Sequence, residues 1–170
     1  RAMLEAAFAE RPDGPFGDDD WTHSLGGMHV WVSDRDGDPD GDGGDVVAHA
    51  CVVARRMLHN GRVLRCGYVE AVAVRDDHRR RGLGGIVMTE IERLIGSAYD
   101  LGALGATEVG APLYRSHGWQ PWAGTLSALT PDGIRPTPEE LGTVHVLTVD
   151  GVALDLTGEF TCDWREGDVW

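Results

Sequence analysis

Tyr68 to Gly85 reads YVEAVAVRDDHRRRGLGG. Its first seven residues predict a strand, with Tyr68, Glu70, Val72 and Val74 on one face and Val69, Ala71 and Ala73 on the other. Arg75 to His78 make a short polar turn. Arg79, Arg80, Arg81, Gly82, Leu83, Gly84 and Gly85 follow. Behind them Leu83, Ile86, Val87, Ile91, Leu94, Ile95 and Ala98 recur at helical spacing, which predicts a helix to about Tyr99. A basic, glycine-rich loop thus opens a helix directly after a buried strand.

Cations at a helix N-terminus face the positive end of the helix dipole and are disfavoured there. Three arginines make sense at that place if an anion sits between them and the free backbone N–H groups. Glycines let the backbone approach the anion, since no Cβ intervenes. The plain alternative is a solvated basic first turn. The chain lacks G-x-x-x-x-G-K-[ST], which excludes a P-loop, and Val87 stands where a dinucleotide fingerprint needs its next glycine. The loop does match R-x-x-G-x-G, from Arg79 to Gly84. This resembles the pyrophosphate loop of the GNAT superfamily of N-acetyltransferases, which bind acetyl-coenzyme A. The strand before it and the amphipathic helix after it stand where that superfamily has them.

At 170 residues the chain has the length of one domain with its own core. No apolar run reaches membrane-spanning length, and no signal peptide is expected. Cys51, Cys66 and Cys162 are widely spaced and form no C-x-x-C, which argues against a zinc site or a disulfide framework and for a reducing cytoplasm. No metal is expected. The net charge is −13, from 15 basic and 28 acidic residues. Nucleic acid and anionic membranes are poor partners for such a surface and a polycation a good one; plain acidic solubility is the alternative.

Arg1 to Glu10 predicts a short helix, broken by Pro12, Gly14, Pro15 and Gly17. Asp18, Asp19 and Asp20 suit the start of a second helix, and could equally face a cationic ligand with Trp21 as a flat wall. Gly26 to Ser33 and Val46 to Leu58 read as strands. Between them, Asp34 to Asp45 imitates the front of a calcium loop, but the twelfth position is Val47, so a long solvated hairpin loop is the better reading. Asn60-Gly61 predicts a tight turn into the strand from about Arg62 to Arg75. Leu101 to Thr107 reads as a buried strand, Val109 to His117 as a brief helix, Trp119 to Trp122 as an extended piece, Thr130 to Gly142 as a loop and Thr143 to Val149 as a strand. The terminal CDWREGDVW, with a tryptophan amid acids, suggests a docked end. Neither an internal repeat nor a second domain is expected.

The pieces DDDWTHSLGGMH, LRCGYVEAVAV, LGAL, LYRSHGW and CDWREGDVW, in this order, resemble the aminoglycoside 2′-N-acetyltransferases, a bacterial branch of the GNAT superfamily. The likeness runs from about Phe8 to Trp170 and is most specific in the last nine residues. The family's first strand is absent before Arg1, and Asp34 to Asp45 is longer than the family's hairpin. The resemblance implies one α/β (α+β) domain over residues 1–170 with the GNAT fold, lacking its N-terminal strand: a mixed central sheet with splayed middle strands, flanked by helices. It implies a homodimer. It also implies that pantetheine bonds to the backbone of Val72, Ala73 and Val74, with the pyrophosphate on Arg79, Arg80, Arg81, Gly82, Leu83, Gly84 and Gly85.

Chemistry adds its own demands. An amine attacks a thioester only when neutral, so the site needs a base. It also needs donors for the tetrahedral oxyanion, which backbone N–H groups can supply. Glu70, beside the coenzyme contacts, is the candidate base, through water, with the Trp170 carboxylate as rival or collaborator. Tyr114 resembles the family's general acid towards the coenzyme sulfur; a core tyrosine is the plain alternative, as a structural ion pair is for Glu70. Asp20, Asp168 and Trp170 are chosen for a polycationic acceptor, with Asp19 weaker and backbone groups at Ala71 and Gly105 contributing. His117 is left out as a packing residue. An enzyme for another amine, and a non-catalytic drug- or acyl-coenzyme-binding module, are the other readings.

Overall fold

The computed structural model describes residues 1–10, 14–34 and 44–170. The acidic stretch read as a hairpin loop lies, apart from Asp34, Gly44 and Asp45, outside the described residues, as do Arg11 to Asp13. The described residues divide into two compact units, Arg1–Val53 with Glu70–Ile91 and Ala54–Val69 with Glu92–Trp170. Two long strands and one helix run through both.

The first unit holds α1 (Ala2–Ala7), α2 (Asp18–Ser24) and β1 (Met28–Asp34). It also holds most of β2 (Asp45–His59), the end of β3 (Arg62–Val74) and the start of α3 (Leu83–Ala98). β1 pairs antiparallel with β2, His29 opposite Cys51 and Trp31 opposite His49. Three acids fill the first turn of α2, where the dipole favours them, and the Gly17 N–H donates to Asp20 Oδ2 at 2.8 Å, capping the helix. Leu4, Phe16 and Ala73 form a small core, with Met3, Ala7, Phe8, Trp21 and Ala71 packed against it. This cluster seats α1 and α2 on the last turn of β3; burying each large side chain is worth roughly 1.5–3 kcal/mol.

The second unit carries the strand order β5-β8-β4-β3-β2-β9-β6-β7 among the described residues. Its strands are β4 (Leu101–Gly105), β5 (Gln120–Pro121), β6 (Leu126–Thr130), β7 (Gly133–Pro136), β8 (Val144–Thr148) and β9 (Phe160–Asp163), with α4 (Ala111–Ser116) beside them. The sheet is mixed: β3 runs parallel to β4 and β6 to β9, while β4–β8, β2–β9 and β6–β7 are antiparallel. Asn60 and Gly61 both take left-handed φ, 48° and 76°, the twisted hairpin turn that their dipeptide predicts. The β3–β4 pairing covers Cys66–Tyr68 against Leu101–Ala103.

Three expectations need correction. The stretch Thr130 to Gly142 is not all loop: Asp132 turns the chain into β7, Leu129 faces Ile134, and Pro138–Glu140 form a 3-10 turn. The two-residue loop is Pro131-Asp132, which is not one of the dipeptides that announce a tight hairpin. On α3, Val87, Met88, Ile91 and Ile95 are buried, but Ile86 and Ala98 are exposed, because the apolar face is narrower than the apolar residues imply. Finally, β3 does not alternate to its end. Ala71 takes φ 51°, and both Tyr68 and Val69 are buried.

Candidate active site

In the first unit, Glu70, Ala71, Val72, Ala73 and Val74 follow one another through the break at Ala71. A left-handed alanine costs of order 1–2 kcal/mol and persists only where its surroundings hold it. One partner is His49, whose Nδ1 lies 2.8 Å from the Ala71 oxygen. Glu70 is half-buried. Burial first, and the Glu70 charge second, push the Cys51 thiol up to about 12. A thiol held there stays protonated and is no nucleophile.

After β3, Arg75 bonds Asp77 at 2.7 Å and Asp45 at 3.2 Å, and His78 joins Asp77 to Asp34 at 2.8 and 2.9 Å. These bonds fix the base of the loop. Arg79 pairs with Asp76 at 2.7 Å, and Arg81 donates to the Asp77 oxygen at 3.0 Å. Arg79, Arg80, Arg81 and Gly82 are all exposed, and Leu83, Gly84 and Gly85 half-buried. Arg80 and Gly82 both take left-handed φ, 63° and 79°. Left-handed residues among others turn successive N–H groups to one side, an anion-binding concavity. The sequence showed the arginines and glycines; it did not show that Arg80 shares the left-handed geometry.

Asp20 sits on α2, whose Trp21 packs in the cluster that includes Ala71 and Ala73. One Asp20 oxygen is taken by the helix cap. Asp19 is exposed. Trp21 is not an open wall, since the Arg1 guanidinium lies 5.9 Å from its ring centroid.

The second unit carries the remaining candidates. Tyr114 is buried on α4, with its ring 6.4 Å from Trp119, and burial pushes its hydroxyl up to about 12. It therefore keeps its proton at neutral pH. Gly105 ends β4, and a side chain there would meet the Tyr68 hydroxyl at 3.6 Å. Trp170 is 4% exposed. Its Nε1–H donates to Thr137 Oγ1 at 2.9 Å and its N–H to Asp168 Oδ1 at 3.1 Å, while its ring lies 5.6 Å from Phe160. Arg165 donates to the Trp170 oxygen at 2.6 Å and to the Asp168 oxygen at 2.6 Å. Asp168 and Trp170 are thus held together, as a docked end.

Sequence reasoning passed over three kinds of residue here. His49 stands in an apolar strand, and nothing next to it in the sequence marks it. Glu140, inside the supposed loop, has its carboxyl pulled up by burial and by the charges of Asp168 and Glu139, against a bond from Thr143. Arg55, buried beside Asp163 and 4.7 Å above the Tyr68 ring, anchors the strand that leads into the tail. His117 bonds Glu92, which also accepts from the Trp119 indole, so its role is packing. Among the described residues no cluster of His, Cys, Asp and Glu could hold a metal ion.

Residues 3–122 match the family described as Acetyltransferase (GNAT) domain. The whole chain is 47% identical, over 173 residues and 83% of the relative's length, to an aminoglycoside 2′-N-acetyltransferase of Mycolicibacterium fortuitum. Among solved structures, a GNAT family acetyltransferase from Brucella melitensis in complex with acetyl-CoA has a TM-score of 0.56 at 14% identity, covering 97% of this chain and 86% of that one. Eis1 from Mycobacterium abscessus has a TM-score of 0.55 at 19% identity over 74% of this chain, which spans 29% of that larger protein. These structures share the fold. The chain belongs to the GNAT acetyltransferases and, within them, to the family of the Mycolicibacterium enzyme.

Proposed function

We propose that the chain transfers the acetyl group of acetyl-coenzyme A to the 2′-amine of aminoglycosides, and so confers resistance to them. The observation that carries this is the 47% identity along the whole chain to an enzyme of that name. The passage from the broken strand into a basic, left-handed loop supports the coenzyme part of the reading. Val72, Ala73 and Val74 receive pantetheine as an added strand, and Arg79 to Gly85 receive the pyrophosphate.

Transfer is direct. The amine nitrogen attacks the thioester carbonyl carbon, the C–S bond breaks, the amine loses a proton and the sulfur gains one. Glu70 takes the proton, through water. Tyr114, protonated at neutral pH, gives one to the leaving sulfur. A covalent cysteine intermediate finds no support: Cys51, Cys66 and Cys162 are buried, and burial pushes all three thiols up. Trp170, whose oxygen accepts from Arg165, acts with Glu70 as collaborator by holding the acceptor. Asp20, Asp168, Ala71 and Gly105 complete the acceptor contacts.

No helix among the described residues is long and apolar enough to cross a membrane. The reading places a single GNAT domain in the cytoplasm as a homodimer, with neither nucleic acid nor membrane as partner. Thiol release from acetyl-coenzyme A with tobramycin, which carries a 2′-amine, and with kanamycin A, which carries a 2′-hydroxyl, tests the proposal. Release with tobramycin alone is expected. Release with both moves the acceptor nitrogen, and release with neither, from folded protein that binds coenzyme, ends the reading. Glu70→Gln should lower kcat about 100-fold and leave coenzyme A affinity within about threefold; equal loss in both removes Glu70 as base.

A further inference from the structure

Ala71 breaks β3 between the proposed base and the first proposed pantetheine contact, and no turn requires the break. Two imidazoles stand behind it. His49 on β2 is 8% exposed, with Nδ1 2.8 Å from the Ala71 oxygen. His29 on β1 places its Nδ1 2.9 Å from His49 Nε2, with the ring centroids 5.2 Å apart.

The chemistry of these atoms fixes the direction of both bonds. A carbonyl oxygen only accepts, so His49 carries its proton on Nδ1. Neutral His49 then has its lone pair on Nε2, and His29 donates through Nδ1–H. Burial, the larger cause, and the neighbouring His29 hold the His49 pKa below its ordinary value, so the ring is neutral near pH 7. The Cys51 thiol, opposite His29 in the β1–β2 register, stays neutral as well.

Across a planar trans peptide the C=O and the next N–H point in opposite directions. Tying the Ala71 oxygen to His49 therefore aims the Val72 N–H away from His49. The plane so fixed is the Ala71–Val72 peptide, which begins one residue after Glu70. We infer that His49 is a positioning residue for acetyl transfer: its Nδ1–H locks the Ala71–Val72 peptide, and His29 holds His49 in the tautomer that does so. The locked peptide presents the Val72 N–H to the oxyanion and keeps Glu70 in register with it. This rests on the acetyl-transfer reading.

The test compares His49→Phe, which removes the donor, with His49→Asn, whose amide nitrogen takes the place of Nδ1. Each is measured for kcat and KM with acetyl-coenzyme A and tobramycin, for coenzyme A affinity by calorimetry, and for melting temperature. His49→Phe should lose about 30-fold or more in kcat with coenzyme A affinity within about threefold, and His49→Asn should recover most of that loss. Parent-like turnover in His49→Phe overturns the inference. So does His49→Asn as slow as His49→Phe while both melt and bind coenzyme A like the parent. If the phenylalanine variant fails to fold, His29→Phe decides, by slower turnover at unchanged coenzyme A affinity or by parent-like turnover. A parent chain that releases no thiol overturns acetyl transfer itself, a result distinct from any of these.

Discussion

Arg55 and Arg81 each donate through Nη2 to a backbone oxygen, of Asp163 at 2.7 Å and of Asp77 at 3.0 Å, yet their circumstances differ. Arg55 is buried, bonded to both the carboxylate and the backbone oxygen of Asp163 at 2.7 Å, and covers the Tyr68 ring. In the same unit Arg165 also lies 5.3 Å from the Tyr68 ring and ties Asp168 and Trp170. Arg79, Arg80 and Arg81 are exposed around a loop of left-handed residues. Charge alone does not tell a ligand-binding arginine from a structural one. Burial and the number of fixed acceptors do.

The comparison breaks most visibly at Asp163. Asp163→Ala strands the Arg55 charge in the interior and should cost about 3 kcal/mol, the low end for a buried pair because Asp163 is partly exposed. Urea unfolding measures it. A cost below about 1 kcal/mol would put Arg55 with the surface arginines. Arg79→Ala and Arg81→Ala should do the reverse, raising the KM for acetyl-coenzyme A roughly tenfold each while stability moves by less than about 0.5 kcal/mol. Loss of stability without loss of coenzyme binding would make them structural. Gly82→Ala sharpens the contrast between backbone and charge. A side chain at Gly82 meets nothing within 4 Å, so the expected cost of about 1 kcal/mol comes from its φ of 79° alone. Neutral stability would mean that the loop relaxes freely and that its geometry is not preset for the anion.

Much of this was legible because it is local. Asn60-Gly61 announced its turn, the acids of α2 their helix start, and RRRGLGG its place before α3. The tail announced its docking through a tryptophan set among acids. What escaped depends on distant residues. Nothing near Ala71 asks for a left-handed φ; the group that holds its carbonyl is His49, 22 residues earlier. His49 itself reads as a polar residue in an apolar strand until β1 brings His29 against it. Arg55 and Asp163 stand 108 residues apart, so neither reveals the other. The hairpin at Pro131-Asp132 was local, but its prolines pointed to a loop.

The smallest expected effect concerns the clamp beneath the exposed arginines. Asp77 first and Asp34 second raise the His78 pKa above its ordinary 6.5, against the nearby Arg75. A raised pKa means that folding favours the protonated ring. The stabilisation is therefore complete below about pH 6.5 and is lost as pH rises through the folded-state value. Asp77 behaves oppositely: Arg75 first and His78 second depress its pKa, so its contribution holds above about pH 3.8 and fades in acid. Of His78 and Asp77, the histidine is the one that changes charge between pH 6 and 9. His78→Gln should therefore flatten the fall of melting temperature over that range while leaving the acid limb in place. An unchanged alkaline limb would show that the His78 bonds to Asp34 and Asp77 add nothing measurable to stability and that Arg75 holds the loop base.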